Sequence, residues 1–102
     1  MTPTQRSLKY LRDQGYLVDV VERWIPGANI RRDLFNFVDL LCLKDGETLA
    51  VQTTSYSGVS ARVKKIAANE NVAAVRQAGW SINIHGWHKV KNRWQVRVVD
   101  VS

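Results

Sequence analysis

Asp39, Gln52 and Thr54 are the residues whose types and spacing could do chemistry. Asp39 interrupts the apolar run Phe35–Leu43 and, by alternation, shares a strand face with Phe37 and Leu41. An ionised carboxylate among such neighbours is expensive unless it is paired or meets a cation. Gln52 and Thr54 stand two apart near the end of the next apolar run, so a period of two points both side chains the same way. If the carboxyl and the amide converge, they make an oxygen-lined cleft of the kind that seats a hard divalent cation. The plain alternative is an aspartate that accepts hydrogen bonds inside a sheet, beside two ordinary polar residues at a strand end.

The formal net charge of +6 favours anionic partners, nucleic acid above all. The basic residues are clustered. Arg31 and Arg32 adjoin the Asp39 run, where they suit backbone phosphates or else close a local charge-paired turn with Asp33. Arg62, Lys64 and Lys65 share one stretch, and Lys89, Lys91 and Arg93 another. Each cluster is read as a phosphate contact against the alternative of a solvated face. Of the four tryptophans, Trp80 and Trp94 are expected in the core. Trp87, between His85 and His88–Lys89, is expected to stack on a base or sit at an interface.

Several chemistries are excluded. His85 and His88, three apart, point to opposite faces and have no third ligand. The single cysteine, Cys42, allows no internal disulfide and no Cys-rich metal site, and reads as a small buried strand residue. There is no Gly-x-Ser-x-Gly elbow and no phosphate-cradling glycine loop. No apolar run nears the roughly 20 residues of a membrane helix, and the N-terminus lacks a signal-peptide layout. The expected compartment is the cytoplasm of a bacterial cell or of a phage-infected host, with no membrane partner.

The elements that must position these groups follow from punctuation and period. Thr2 caps a helix, with Pro3 at its first position, Gln5 completing a capping box and Gly15 as the stop. Tyr16–Ile25 reads as one strand, and Pro26–Asn29 as a turn or loop. Strands at about 34–43 and 48–54 flank a turn at Lys44–Glu47 and predict an antiparallel hairpin. After a loop at Ser55–Gly58, Ser57 or Ser60 caps a helix running to Ala68, with Val59, Val63, Ile66 and Ala67 as its apolar side. Asn69–Asn71 breaks it before a second piece, Val72–Ala78, ended by Gly79. Trp80–Gly86 and Trp94–Val101 alternate as half-buried strands. The order α-β-β-β-α-β-β predicts one mixed α+β domain over residues 1–102, with a central mixed sheet flanked by helices.

That order, with LRDQGY closing the first helix, then VDLL, a turn, and an apolar strand ending in a polar pair, resembles the PD-(D/E)XK nuclease superfamily. The nearest branch is the small archaeal-type Holliday junction resolvases with their phage and bacterial relatives. The resemblance runs from about residue 5 to the end, including the final hairpin with its Gly-Trp pairs. It implies a restriction-endonuclease-like fold in which an aspartate and a Glu-x-Lys bind magnesium and set water against a phosphodiester. By position, Asp39 matches the aspartate, while Gln52 stands for the glutamate and Thr54 for the lysine. Gln52 keeps a carbonyl oxygen but loses a charge, and Thr54 offers only a hydroxyl. The family's lysine can migrate to the next helix, which makes Lys64 or Lys65 its stand-in. The acid that relatives draw from the first helix or strand is Glu22 here, with Gln5 as an amide-for-acid exchange.

The resulting expectation is a DNA-binding, Mg²⁺- or Mn²⁺-dependent endonuclease of resolvase type, acting on structured or branched DNA and forming a homodimer. Its metal ligands would be Asp39 and Gln52, with Thr54, Lys64 and Glu22 completing the catalytic set. Arg31, Arg32, Arg62, Lys64, Lys65, Trp87 and Lys89 would hold DNA. The alternative is a nuclease scaffold that has lost its chemistry and binds nucleic acid or a protein, such as a host target of a phage accessory protein.

Overall fold

A computed structural model describes residues 1–102. Helix α1 (Pro3–Asp13) starts as its sequence dictates. The Thr2 hydroxyl accepts the Gln5 N–H, the Gln5 carboxamide accepts the Thr2 N–H, and Pro3 occupies the first turn. Gln5 is thereby committed to the cap. The remaining elements are β1 (Leu17–Val20), β2 (Glu22–Ile25), β3 (Ile30–Asp33), β4 (Leu40–Lys44), β5 (Glu47–Ser55), α2 (Val59–Ala67), α3 (Val72–Gln77), β6 (Ser81–Val90) and β7 (Arg93–Asp100).

Five strands form one mixed sheet in the order β1-β4-β5-β6-β7, and β2 pairs with β3 separately. Only β5 and β6 are parallel, joined by the α2–α3 crossover; the other neighbours are antiparallel. Alternation along β5 divides the core in two. Ala50 joins Ile82 and Ile84 beneath α2 and α3, while Leu49 and Val51 join Leu40 and Cys42 beneath Leu11 of α1. This is the α+β domain with helices flanking a mixed sheet that the element order predicts.

Two strands differ from expectation, and both differences shape the cleft described below. Tyr16–Ile25 is not one strand. Val21 donates its N–H to the Asp39 carbonyl and accepts from Leu34, so β1 ends there and β2 turns away to form a hairpin with β3. The strand expected from residue 34 begins only at Leu40. Phe35 and Asn36 adopt left-handed backbone angles (φ 55° and 66°) in a turn bridged between Leu34 and Val38. Such angles are costly for a bulky side chain. The turn is held by the Asn69 and Asn71 side-chain amides on the Phe35 carbonyl and by the Phe35 ring against Trp80. Elsewhere the punctuation holds. Asp45-Gly46 and Lys91-Asn92, all with positive φ, close the β4–β5 and β6–β7 hairpins. Helix α2 is preceded by a 3₁₀ turn (Tyr56–Gly58) and begins after Gly58, without a serine cap.

The tryptophans exchange places with expectation. Trp94 is half-exposed, with the Arg6 guanidinium 3.7 Å from its ring centre. Trp87 is buried, because β6 turns it and His85 toward α1. Only 8 % of it is exposed, which leaves little ring face for a base. Its indole N–H donates to the Ser7 hydroxyl at 2.8 Å, and the same hydroxyl is hydrogen-bonded to His85 Nδ1 at 2.9 Å, which accepts when the ring carries its proton on Nε2. Burial pushes the His85 pKa down to about 4, so the ring is neutral and can accept. Ser7 thus satisfies two buried groups that belong to the sheet. Ser7→Ala leaves both without a partner and should lower unfolding stability by about 1–3 kcal/mol. Urea melts followed by tryptophan fluorescence read this as a shifted midpoint at constant slope.

Candidate metal centre

Glu22 and Asp33 are direct cross-strand partners at the open end of the β2–β3 hairpin. Like charges opposite one another destabilise a strand pair. Asp39 arrives from a third direction, on the bend that precedes β4, with its backbone bonded to Val21 on one side and Val51 on the other. One oxygen from each of the three carboxylates lies within 4.8 Å of the others. Asp39 is only 6 % exposed. Its Oδ2 accepts the Thr53 N–H at 2.8 Å and the Thr53 hydroxyl at 3.3 Å, which anchors one oxygen and leaves the other.

Burial pushes the Asp39 pKa up to about 7; the Thr53 amide opposes this, and the charges of Asp33 and Glu22 add to the rise. The cluster is therefore short of positive charge. Arg31 comes no closer than 3.9 Å to Glu22, and Lys65 no closer than 4.0 Å to Asp33. Gln52 supplies the next feature. It is 2 % exposed, and its Oε1 has no hydrogen-bond partner. A buried carbonyl oxygen without a donor forfeits about 1–3 kcal/mol.

These groups share one cleft of about 480 Å³ with no apolar lining. Its walls are Glu22, Asp33, Asp39, Gln52, Thr53, Thr54 and Ser55, flanked by Arg31 and Arg62, with Thr2–Thr4 at the start of α1. Asp39, Gln52, Thr54, Glu22, Arg31 and Arg62 therefore converge as expected. Alternation along β3 puts Arg31 and Asp33 on the cleft side and turns Arg32 into a separate hollow with Val21 and Arg23. On α2, Arg62 lines the cleft and Lys65, three residues on, reaches Asp33, whereas Lys64 is exposed away from the wall. Lys64 is thus not the cleft's cation; Arg62 holds that place. Lys89 is exposed near the tip of the β6–β7 hairpin and is not part of the wall either. Asp33 was legible only as a partner of neighbouring arginines; pairing β2 with β3 across the Pro26–Asn29 turn would have set it opposite Glu22.

No protein-family model matches the chain, and no curated protein matches it in sequence. The donor set itself is informative. Three carboxylates with oxygens this close are hard ligands that could hold a divalent cation such as Mg²⁺ or Mn²⁺.

The sign of the pH dependence follows from Asp39. Its folded pKa lies above the ordinary carboxyl value, so without metal the folded state loses stability as pH rises from about 4 to about 7. Asp39→Asn removes that penalty and should stabilise the protein at pH 8, on the order of 2 kcal/mol, with little change at pH 4. Thermal melts in EDTA at the two pH values check it. Conversely, Mn²⁺ must displace the Asp39 proton. Its affinity by calorimetry should climb with pH to about 7 and then level off.

Proposed function

We propose that this chain binds DNA and hydrolyses its phosphodiester bonds with Mg²⁺ or Mn²⁺, in the manner of the resolvase-like nucleases it resembles. The observation that carries the reading is the convergence of Glu22, Asp33 and Asp39 in a cleft that Gln52, with its unpartnered Oε1, also lines and that Arg31 and Arg62 flank.

Glu22, Asp33, Asp39 and Gln52 Oε1 would hold the ion. When bound, it would polarise a phosphate oxygen and make a water molecule more acidic. Asp33 compensates the departure at Gln52, returning the negative charge that the amide lacks. The Arg31 and Arg62 guanidiniums, planar and permanently charged, are suited to grip phosphate oxygens in pairs. The Thr54 hydroxyl, 8 % exposed on the cleft wall, donates to or accepts from a group bound there. Thr53 orients Asp39 through its amide and hydroxyl, and its hydroxyl is tied in turn to Thr4 at 2.8 Å. Cutting both strands of a junction takes two such sites, so the reading carries a homodimer with it.

One observation favours a second reading, a DNA-binding module without hydrolysis. No lysine lines the cleft, and a guanidinium, which does not give up its proton, cannot take a lysine's place in proton transfer.

Asp39→Ala should abolish Mg²⁺-dependent cleavage of branched DNA while leaving DNA affinity in EDTA nearly unchanged. Arg62→Ala should weaken binding to any sequence and reduce the log–log salt slope by about 1. Gel assays scoring shift and cleavage together decide the matter. If wild type and Asp39→Ala cut alike, the site is misassigned. If wild type binds in a salt-dependent manner without cutting, the module reading stands.

A further inference from the structure

The cleft wall ends at Ser55, and the next residue, Tyr56, opens the 3₁₀ turn that leads into α2. The Cα atoms of Ser55 and Tyr56 are about 3.8 Å apart, as in any trans peptide. The Tyr56 ring is 45 % exposed, yet it is not loose. It lies stacked on His88, with ring centres 4.4 Å apart and planes 28° from parallel. The Arg97 guanidinium sits 5.7 Å from the Tyr56 ring centre.

The backbone carrying this ring is clamped by two glycines that serve close approach rather than unusual backbone angles. A Cβ at Gly58 would overlap the Thr54 hydroxyl. A Cβ at Gly86, the register partner of Thr54, would overlap Val59 and come within 3.3 Å of the Tyr56 Cα and 3.5 Å of the Ser55 carbonyl. The turn is therefore seated directly on the β5–β6 pair, and the ring's position is fixed relative to the cleft.

A rigid, exposed aromatic pair with a guanidinium over its ring is suited to the flat face of a nucleobase, and stacking of this kind tolerates any base. In a duplex those faces are covered by neighbouring base pairs. Only an unpaired nucleotide can offer one. We infer that Tyr56, backed by His88 and flanked by Arg97, is a stacking platform for an unpaired nucleobase whose phosphate occupies the adjoining cleft. The substrate class is then DNA carrying single-stranded nucleotides, as at a gap, a flap or the centre of a branch. This rests on the DNA-binding reading above, and it assigns to Tyr56 the stacking role that the burial of Trp87 leaves vacant.

The test uses the full chain in EDTA with two probes of equal length, a thymidine oligomer carrying one 2-aminopurine and a fully paired duplex. Wild type should quench the 2-aminopurine on binding. Tyr56→Ala should lose the quenching and bind the single strand about tenfold more weakly, with duplex affinity unchanged. Tyr56→Phe, which keeps the ring face, should restore both. Arg97→Lys, at an exposed position of β7, keeps the charge but removes the planar guanidinium and should show the same selective loss in part should Tyr56→Ala fold poorly. Arg62→Ala should weaken both probes together. If Tyr56→Ala and Arg97→Lys weaken both probes equally, or neither, while Arg62→Ala still weakens both, the platform is wrong and the cleft reading survives. If wild type binds neither probe, the DNA reading itself fails and the platform with it.

Discussion

Three carboxylates crowded into a desolvated corner are the constraint around which this fold makes sense. Glu22 and Asp33 face each other across a hairpin, where like charges repel, and Asp39 adds a third acid whose burial alone opposes its ionisation. A domain with fifteen basic residues has ample means to neutralise them, but it pairs them only with Arg31 and Lys65, at the outer limit of an ion pair. Such mostly exposed pairs contribute little. The unpartnered Gln52 oxygen points to the same economy, since donors are withheld from a place where one hydroxyl or amide would have sufficed. Groups kept this poorly satisfied cost stability, and a fold tends to tolerate that cost where a ligand completes the arrangement.

The rest of the molecule serves to hold those acids close together. The sheet places Gln52 and Thr54 on β5, where the parallel β5–β6 pair needs a helical crossover, and that crossover brings Arg62 over the same strand ends. The left-handed turn at Phe35-Asn36 shortens what would have been a long strand, so that Asp39 emerges at its start rather than from its middle. Release of β2 from the sheet at Val21 then lets the β2–β3 hairpin deliver Glu22 and Asp33 from above. On the other face, α1 is fixed through Ser7 to His85 and Trp87 and through Thr4 to Thr53, so its first turn closes the cleft.

Much of this was legible residue by residue. The capping box at Thr2–Gln5 and the Asp45-Gly46 turn follow from local chemistry, and both form, whereas the strand expected at 80–86 runs Ser81–Val90 and is buried on both faces from Ile84 to Trp87 instead of alternating. Gln52 and Thr54 do line one cleft with Asp39, but Thr53 and Ser55 line it too, and it is Thr53, which a period of two would turn away, that bonds Asp39. What sequence could not supply were the places where tertiary packing overrides local preference. Nothing in Phe35-Asn36 announces a left-handed turn; it is held by Asn69 and Asn71, more than thirty positions away. Aromatic content alone did not tell which tryptophan would be inside. Trp87 is buried because Ser7 offers a hydroxyl to its N–H, whereas Trp94, with the same alternation, ends on an edge strand beneath Arg6. Asp33 escaped notice because its significance lies in a register, not in a motif.

The electrostatics of the cleft also bear on how ion and DNA would be bound. Its lining holds three acids against two guanidiniums, so with all of them ionised it carries one net negative charge inside a strongly basic domain. A phosphate approaching that corner meets Arg31 and Arg62 at the rim but acids at the floor. A divalent ion held by the three acids would reverse the balance to one net positive charge. Protonation of Asp39, favoured by its raised pKa, relieves the same repulsion but removes a ligand in doing so. On the proposed function, ion and DNA therefore support one another's binding, and by linkage the support is equal in both directions. On that reading the basic surface would gather DNA without regard to the ion, and the ion would decide whether a phosphate can sit in the cleft.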